Sequence, residues 1–497
     1  MPETHWKIFL FLLVCFLPLF ACQNKSIEAG EKLNAHSIES TPVITANPTN
    51  DTGKIEAGDL LQESLSADPW EIINPDGQSV HFWHPYSDQR QDVLNQLITD
   101  FNRTNEWGIK VNSESKDSFS NLYYDVLGVL NTPDSPNMVL AYQDQSSAYY
   151  MYYGLADMET LLISPKWGFS ATELDDFYSY ILKHDLSPKF DNHRLGFPFF
   201  RALNILYYND DWLKELGYVN PPLNPEEFKE VACKSSEQHF SKAETDESKG
   251  YGMTISASTL INWAFAFGAD IFNEDNQMYN FDSEETVQAA KYLQELVNRE
   301  CATVLNDNLA NQKGFAEGKL LFTTGTSSGI PFYQNEIEEG LDFNWNIAPL
   351  PHPTTNPTQN VYGPSISILK TNRESELASW FFIKFLTGPE AQELWSESTF
   401  NFPVRKSSGG RSADFKLKNP QYAAAGNLME FGKSEPSLPG YNFVQELVAE
   451  SLAAILRGMD ANQVLSELTI EANALLENQK ELPLSTIESI PVPETGR

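Results

Sequence analysis

Positive charge is scarce in this chain. Its 34 Lys and Arg stand against 68 Asp and Glu, a net charge of −34. Such a surface repels nucleic acid, and no basic patch interrupts it, so nucleic-acid partners are excluded. Metal-ligand patterns are missing as well. The eight histidines show no His-Glu-x-x-His or related spacing, and no Gly-rich phosphate loop is present. No metal or other cofactor is therefore expected. Internal repeats are absent. Long hydrophobic runs are nearly so: Ile8–Ala21 is apolar, but too short to span a membrane comfortably. Cysteine is rare, four in 497 residues.

What is present begins with that apolar run. It ends Leu19-Phe20-Ala21-Cys22, which resembles the bacterial lipobox. The resemblance implies a signal peptide over 1–21, cleavage before Cys22, and a lipid anchor on its thiol. The alternative is a plain secretory signal with an incidental cysteine; both leave the mature chain outside the cytoplasm. Residues 22–72 are polar and poor in aromatics, a composition that reads as a flexible tether. Residues 481–497 read as a frayed tail. Cys15 and Cys22 belong to the leader. Cys233 and Cys301 remain, either as a disulfide or as two buried thiols.

A chain of this length exceeds what one core supports, so two cores are expected. Ser79–Trp83, Ile109–Val111 and Asn137–Tyr142 read as strands. Between them stand helical stripes, Val93-Leu94-Leu97-Ile98-Phe101 and Phe119-Leu122-Val126-Leu130. Alternating strands and helices predict a parallel sheet covered by helices. The pivot of the chain is Gly196–Gly217. Gly196-Phe197-Pro198 is extended, because a residue before proline leaves the helical region. Leu203–Tyr208 is then a buried strand, and Asn209 caps a short helix ending at Gly217. This segment reads as the hinge between two lobes, with a ligand in the cleft that the hinge closes. Further on, Asn224 caps a helix with Pro225 at its first position, and Asp282 with Glu285 forms a capping-box pattern.

Gly325-Thr326-Ser327-Ser328-Gly329 matches the G-x-S-x-G pattern of a nucleophile elbow. That motif needs a helix immediately after it and an Asp and a His downstream. Ile330-Pro331 is expected to block such a helix, and the only later histidine, His352, lies in a proline loop. No motif supports a pair of glycosidase carboxylates. The chain is read as a binding protein, not an enzyme.

Several stretches in order then resemble family 1 extracellular solute-binding proteins, the ligand-capturing subunits of ABC importers for sugars and polyols. They are SVHFWHPYSD from Ser79, NMVLAY from Asn137, GFPFFRALNILYYNDDWLKELGY from Gly196, PPLNPEEFKEVA from Pro221, FAEGKLLFTTG from Phe315 and ASWFFIKFLTGPEAQELWSESTFNFPVRKS from Ala378. The resemblance spans roughly Val80–Leu476. It implies an α/β fold of the type II periplasmic-binding-protein kind, two lobes joined by a multi-strand hinge. The lobes are expected at 78–198 with 323–368, and at 199–322 with 369–480. It also implies a carbohydrate or polyol ligand, permease subunits as partners, and a monomer. By position it implies ligand contacts from Trp83, His84, Tyr86, Tyr142, Gln143, Asp144, Arg201, Asn204, Trp263, Ser327, Tyr362, Gly363 and Arg405. Rings would stack on sugar faces while amides, carboxylates and Arg pair with hydroxyls. The alternatives are a secreted glycan-active hydrolase or esterase, and a surface lipoprotein with no transport partner.

Overall fold

The computed structural model describes residues 68–478 apart from 245–246 and 409–412. The signal peptide, Cys22, nearly all of the tether and the 481–497 tail lie outside the described residues. Twelve strands build two main sheets. In chain order they are β1 (Ser79–His84), β2 (Lys110–Ser115), β3 (Met138–Ala141), β4 (Phe197–Pro198), β5 (Ala202–Asn209), β6 (Lys249–Thr254), β7 (Ala302–Leu305), β8 (Leu320–Thr326), β9 (Trp345–Ala348), β10 (Gln359–Tyr362), β11 (Ser365–Ile368) and β12 (Gly432–Lys433).

The first sheet has the order β2-β1-β3-β11-β4. Its β1 pairs in parallel with β2 and β3, while β11 runs antiparallel between β3 and β4. Every residue of β3 and of β11 is buried, as expected of strands covered on both faces. The second sheet has the order β7-β6-β8-β5-β10-β12, with β9 also paired to β5. All eight residues of β5 are buried, which makes the predicted buried strand the spine of this sheet.

Helix α1 (Gln89–Thr104) buries the stripe read from the sequence, Val93, Leu94, Leu97, Ile98 and Phe101. Its cap is Asp88, whose carboxylate accepts from the Arg90 N–H at 2.9 Å. Also on this side are α2 (Phe119–Val129) and α3 (Gln143–Met151). Helix α4 (Pro225–Glu237) starts at Asn224 as predicted, with a 3.0 Å bond from the Glu227 N–H. Helices α5 (Ala257–Ala266) and α6 (Glu284–Asn298) follow. The cap of α6 is Ser283, not Asp282. The Asp282 carboxylate turns outward and accepts from Thr469 Oγ1 at 3.1 Å. Helix α7 (Ile330–Glu339) begins directly after the Gly325–Gly329 turn, against expectation. Pro331 sits in its first turn, where a missing N–H breaks no helical bond. Helices α8 (Arg373–Leu386), α9 (Pro389–Thr399), α10 (Tyr441–Leu456) and α11 (Ala461–Asn478) complete the set used here. Cys233 of α4 is bonded to Cys301, which immediately precedes β7.

The polypeptide passes between the sheets three times. Phe199-Phe200-Arg201 joins β4 to β5, and Gly363-Pro364 joins β10 to β11. The third passage follows α9, where Arg201 and Phe402 exchange backbone hydrogen bonds of 3.0 and 2.7 Å. Sheet pairing departs from the expected lobe limits in two places. β9 and β10 pair with β5 rather than with the first sheet. Helices α8 and α9 pack on the first-sheet side, α8 against β1 and α9 against α1. Sequence order alone does not say where in a segment the chain crosses back; strand pairing does.

Candidate functional site

The three passages converge on a cavity of ≈ 510 Å³. From the first sheet come Tyr86, Asp88 and Arg90 after β1, and Tyr142 after β3. From the second come Thr326 and Ser328, at and just past the end of β8, and Phe332 on α7. The passages themselves supply Phe200, Tyr362, Gly363 and Asn401. The cavity thus lies beyond the carboxyl ends of β1, β3 and β8, where loops of an α/β sheet leave a crevice. Six aromatic side chains stand in its walls, Tyr86, Phe119, Tyr142, Phe200, Phe332 and Tyr362. Phe119 and Tyr142 pack with ring centroids 4.5 Å apart, and Phe200 stacks on Trp395 at 5.2 Å. The Arg90 guanidinium sits 4.7 Å above the Tyr86 ring and is held by Asp88 at 2.6 Å.

Polar side chains are at least as numerous as these rings, among them Asp88, Arg90, Thr326, Ser328 and Asn401. The Tyr86 hydroxyl is buried without a hydrogen-bond partner, an arrangement that costs free energy until an acceptor arrives. Burial pushes the Tyr142 hydroxyl up to about 12, so it remains a donor at neutral pH. Gly363 has φ of +154° and lies against the first passage; a Cβ there would meet the Phe200 carbonyl at 2.7 Å. Only glycine allows the two passages to approach this closely.

A second cavity, ≈ 370 Å³, shares Tyr142 and Tyr362 with the first. Its lining includes Gln143, Asp144, Glu435, Tyr441 and Gln445. A third, ≈ 290 Å³, continues from it through His184, Glu435 and Pro436. The three thus adjoin through shared walls, the first with the second and the second with the third.

Of the residues expected by position, Tyr86, Tyr142, Gln143, Asp144, Tyr362 and Gly363 line the first two cavities. The other seven line none of the three, because neighbouring protein groups occupy them. Trp83 lies under the Lys116 ammonium, 3.7 Å from the ring centroid. His84 is fully buried; its Nδ1 accepts from the Tyr86 N–H at 3.2 Å, and burial lowers its pKa to about 4, leaving it neutral. Arg201 is fully buried, donating to Asp185 at 3.4 Å, Ser365 Oγ at 3.0 Å and the Pro364 carbonyl at 3.1 Å. Asn204 donates to Asn262 Oδ1 at 3.0 Å. Trp263 is a core residue donating to the Tyr251 hydroxyl at 3.1 Å. Ser327 Oγ accepts from the Leu203 N–H at 3.1 Å, so the G-x-S-x-G turn secures a strand. Arg405 donates to the Thr387 carbonyl at 2.5 Å and lies over Phe177. Buried charge needs partners of this kind, and nothing local in the sequence announces them.

Position did not point to Arg90, Phe119, Phe200, Phe332 or Glu435. Phe119 opens a helix on the sheet edge that carries Tyr142, a signal available in principle. Glu435 sits in a Ser- and Pro-rich loop, far along the chain from its neighbours here, and carries none.

A family model described as bacterial extracellular solute-binding protein matches residues 96–425, about two thirds of the chain. This chain belongs to that family. No curated protein sequence matches it. The solute-binding protein shares its fold with solved structures. One is the sugar-binding protein MalE of Xanthomonas citri, 18% identical, TM-score 0.71, covering 83% of this chain and 100% of that one. Another is the cyclic alpha-maltosyl-1,6-maltose binding protein of Arthrobacter globiformis, 17% identical, TM-score 0.69, covering 80% and 99%. A third is UgpB of Mycobacterium tuberculosis in complex with glycerophosphocholine, 19% identical, TM-score 0.65, covering 81% and 99%. At these identities the likeness establishes the fold: two α/β lobes of the type II periplasmic-binding kind. The family places the solute-binding protein outside the cytoplasm. No helix among the described residues is long and apolar enough to cross a membrane.

Proposed function

We propose that this protein is the solute-capturing subunit of an ABC importer for a sugar, oligosaccharide or polyol-type ligand. One observation carries the reading: an aromatic-walled cavity at the three passages between sheets, with buried hydroxyls and amides aimed at its edge. Sugar rings offer C–H faces to Tyr86, Tyr142, Phe200 and Tyr362, and hydroxyls to Thr326, Ser328 and Asn401. Structures of the same fold are described as sugar-binding or maltose-binding, in keeping with this reading. Three cavities adjoin, which favours an oligomeric ligand over a single ring.

In this proposal the lobes are 78–198 with 365–399 and 202–362 with 413–478, following sheet pairing and helix packing. They close on the ligand by rotation about the passages, and the closed form engages the permease. The chain acts as a monomer, tethered by a lipid on Cys22 through the polar 22–72 segment. It releases its ligand unaltered, and ATP is hydrolysed by its partners.

A thermal-shift screen of mono-, di- and oligosaccharides tests the reading. A ligand at 100 times its Kd stabilises the folded state by about 2.7 kcal/mol. Tyr142→Ala is expected to abolish that shift while leaving the ligand-free midpoint within a few degrees. The reading is overturned if no saccharide or polyol shifts the midpoint.

A further inference from the structure

The second cavity differs in kind from the first. It brings together two carboxylates from opposite sheets, Asp144 at the start of α3 and Glu435 just after β12. No Lys or Arg lines it. Glu435 is met by neutral amides, Asn360 Nδ2 at 2.7 Å and Gln445 Nε2 at 2.9 Å. His184 at the wall is neutral, because burial drops its pKa to about 3. Two like charges at one cavity with no Lys or Arg in its lining cost free energy in the empty protein.

A second observation points to what fills the space. Tyr441 is 5% exposed, lines the cavity, and its hydroxyl has no hydrogen-bond partner. Burial and the neighbouring Glu435 carboxylate keep that hydroxyl protonated, and it lies close enough to Glu435 to interact with it, so it is a donor held toward the acidic wall. On the other side, burial, reinforced by Glu435, raises Asp144 to about 6 although backbone N–H groups at the start of α3 bond its carboxylate. The cavity therefore offers carboxylates for a cation and a phenol donor for an oxygen. It also opens through Tyr142 and Tyr362 onto the aromatic cavity. A net charge of −34 steers cations toward it and anions away.

We infer that the second cavity is an ammonium-recognition subsite, and that the ligand is a saccharide bearing a protonated amine. The inference rests on the carbohydrate reading and adds to it the sign of the ligand's charge. The saccharide ring occupies the aromatic cavity, a ring or hydroxyl oxygen accepts from Tyr441, and the ammonium lies against Asp144 and Glu435. A cation there offsets charge from both sheets at once, so amine binding favours closure of the lobes. A neutral sugar donating hydroxyls to the same carboxylates is the competing occupant.

Calorimetric titration of the purified chain with short glucosamine oligomers and with their N-acetylated, neutral counterparts separates the two. The amine series is expected to bind at least tenfold more tightly, with an advantage that shrinks as salt is added. Glu435→Gln keeps the side-chain shape and an acceptor for one of the two amides but removes the charge; Asp144→Asn removes the charge on the other wall. Each is expected to weaken the amine series at least tenfold and the neutral series less than threefold. If neutral sugars bind through Tyr142 and the amines bind no better, the ammonium subsite fails while the carbohydrate reading stands. Equal losses for both series in Glu435→Gln and Asp144→Asn have the same consequence. If no saccharide of either kind binds, both readings fail together.

Discussion

Arg201 and Asp185 are fully buried and face each other between the first and second passages. Ser365 Oγ bridges them, and Gln143 Nε2 donates to Asp185 at 2.8 Å. A buried pair of this kind contributes little net stability, yet losing one partner strands a charge. Arg201→Ala is expected to destabilise the ligand-free protein by about 3–5 kcal/mol, read by urea unfolding. Arg201→Met with Asp185→Leu is expected to recover most of it. Asp144 gives a pH signature. Its folded pKa, about 6, lies above the ordinary carboxylate value. Below about pH 4 both folded and unfolded forms are protonated and nothing is lost. Between about pH 4 and 6 the unfolded chain is ionised while the folded state keeps its proton, so stability falls across that window and stays lower above it. Asp144→Asn should therefore raise the thermal midpoint at pH 8 and leave it unchanged near pH 4. A gain at pH 4 that vanished at pH 8 would refute this.

At the scale of elements, the bond between Cys233 and Cys301 closes a loop with a sequence separation of 68. It ties α4 to the entry of β7, so helix and edge strand cannot part in the unfolded chain. The chain-entropy account assigns such a loop about 4 kcal/mol. Cys233→Ser with Cys301→Ser is expected to lower the denaturant midpoint accordingly without changing saccharide affinity, since neither cysteine lines the cavities. Individual helices were legible because caps and stripes are local: Asn224 and Asp88 begin the helices expected of them. The misreadings differ in range. Asp282 lost the cap of α6 to Ser283 because Thr469, almost two hundred residues on, takes its carboxylate. Pro331 was read as a helix blocker, yet a first-turn proline is compatible with a helix.

At the scale of the molecule, the first cavity draws its walls from both sheets and all three passages. Under the proposed function a ligand seated there contacts both lobes, which would couple binding to closure. Small-angle scattering with a bound saccharide is expected to give a smaller radius of gyration than the empty protein. Gly363→Ala, whose Cβ collides with the Phe200 carbonyl, is expected to blunt that change and to weaken binding. Identical profiles with and without a saccharide known to bind would overturn the closure.

From the sequence alone came the alternation of strands and helices, the buried strand at the pivot, the motif order that resembles the solute-binding family, and the aromatic pair Tyr142 and Tyr362. The first three depend on local periodicity or on neighbouring residues, which a linear reading can see; Tyr142 and Tyr362 come by position from the family resemblance. The tertiary structure decided which polar residues face the cavities and which are consumed inside the protein. Arg201, Arg405 and Ser327 look like ligand anchors until Asp185, Thr387 and the Leu203 N–H are found beside them. Glu435 looks like a loop residue until it meets Asp144 from the other sheet at one cavity. Partners hundreds of residues apart satisfy or strand a buried charge, and only folding brings them within reach.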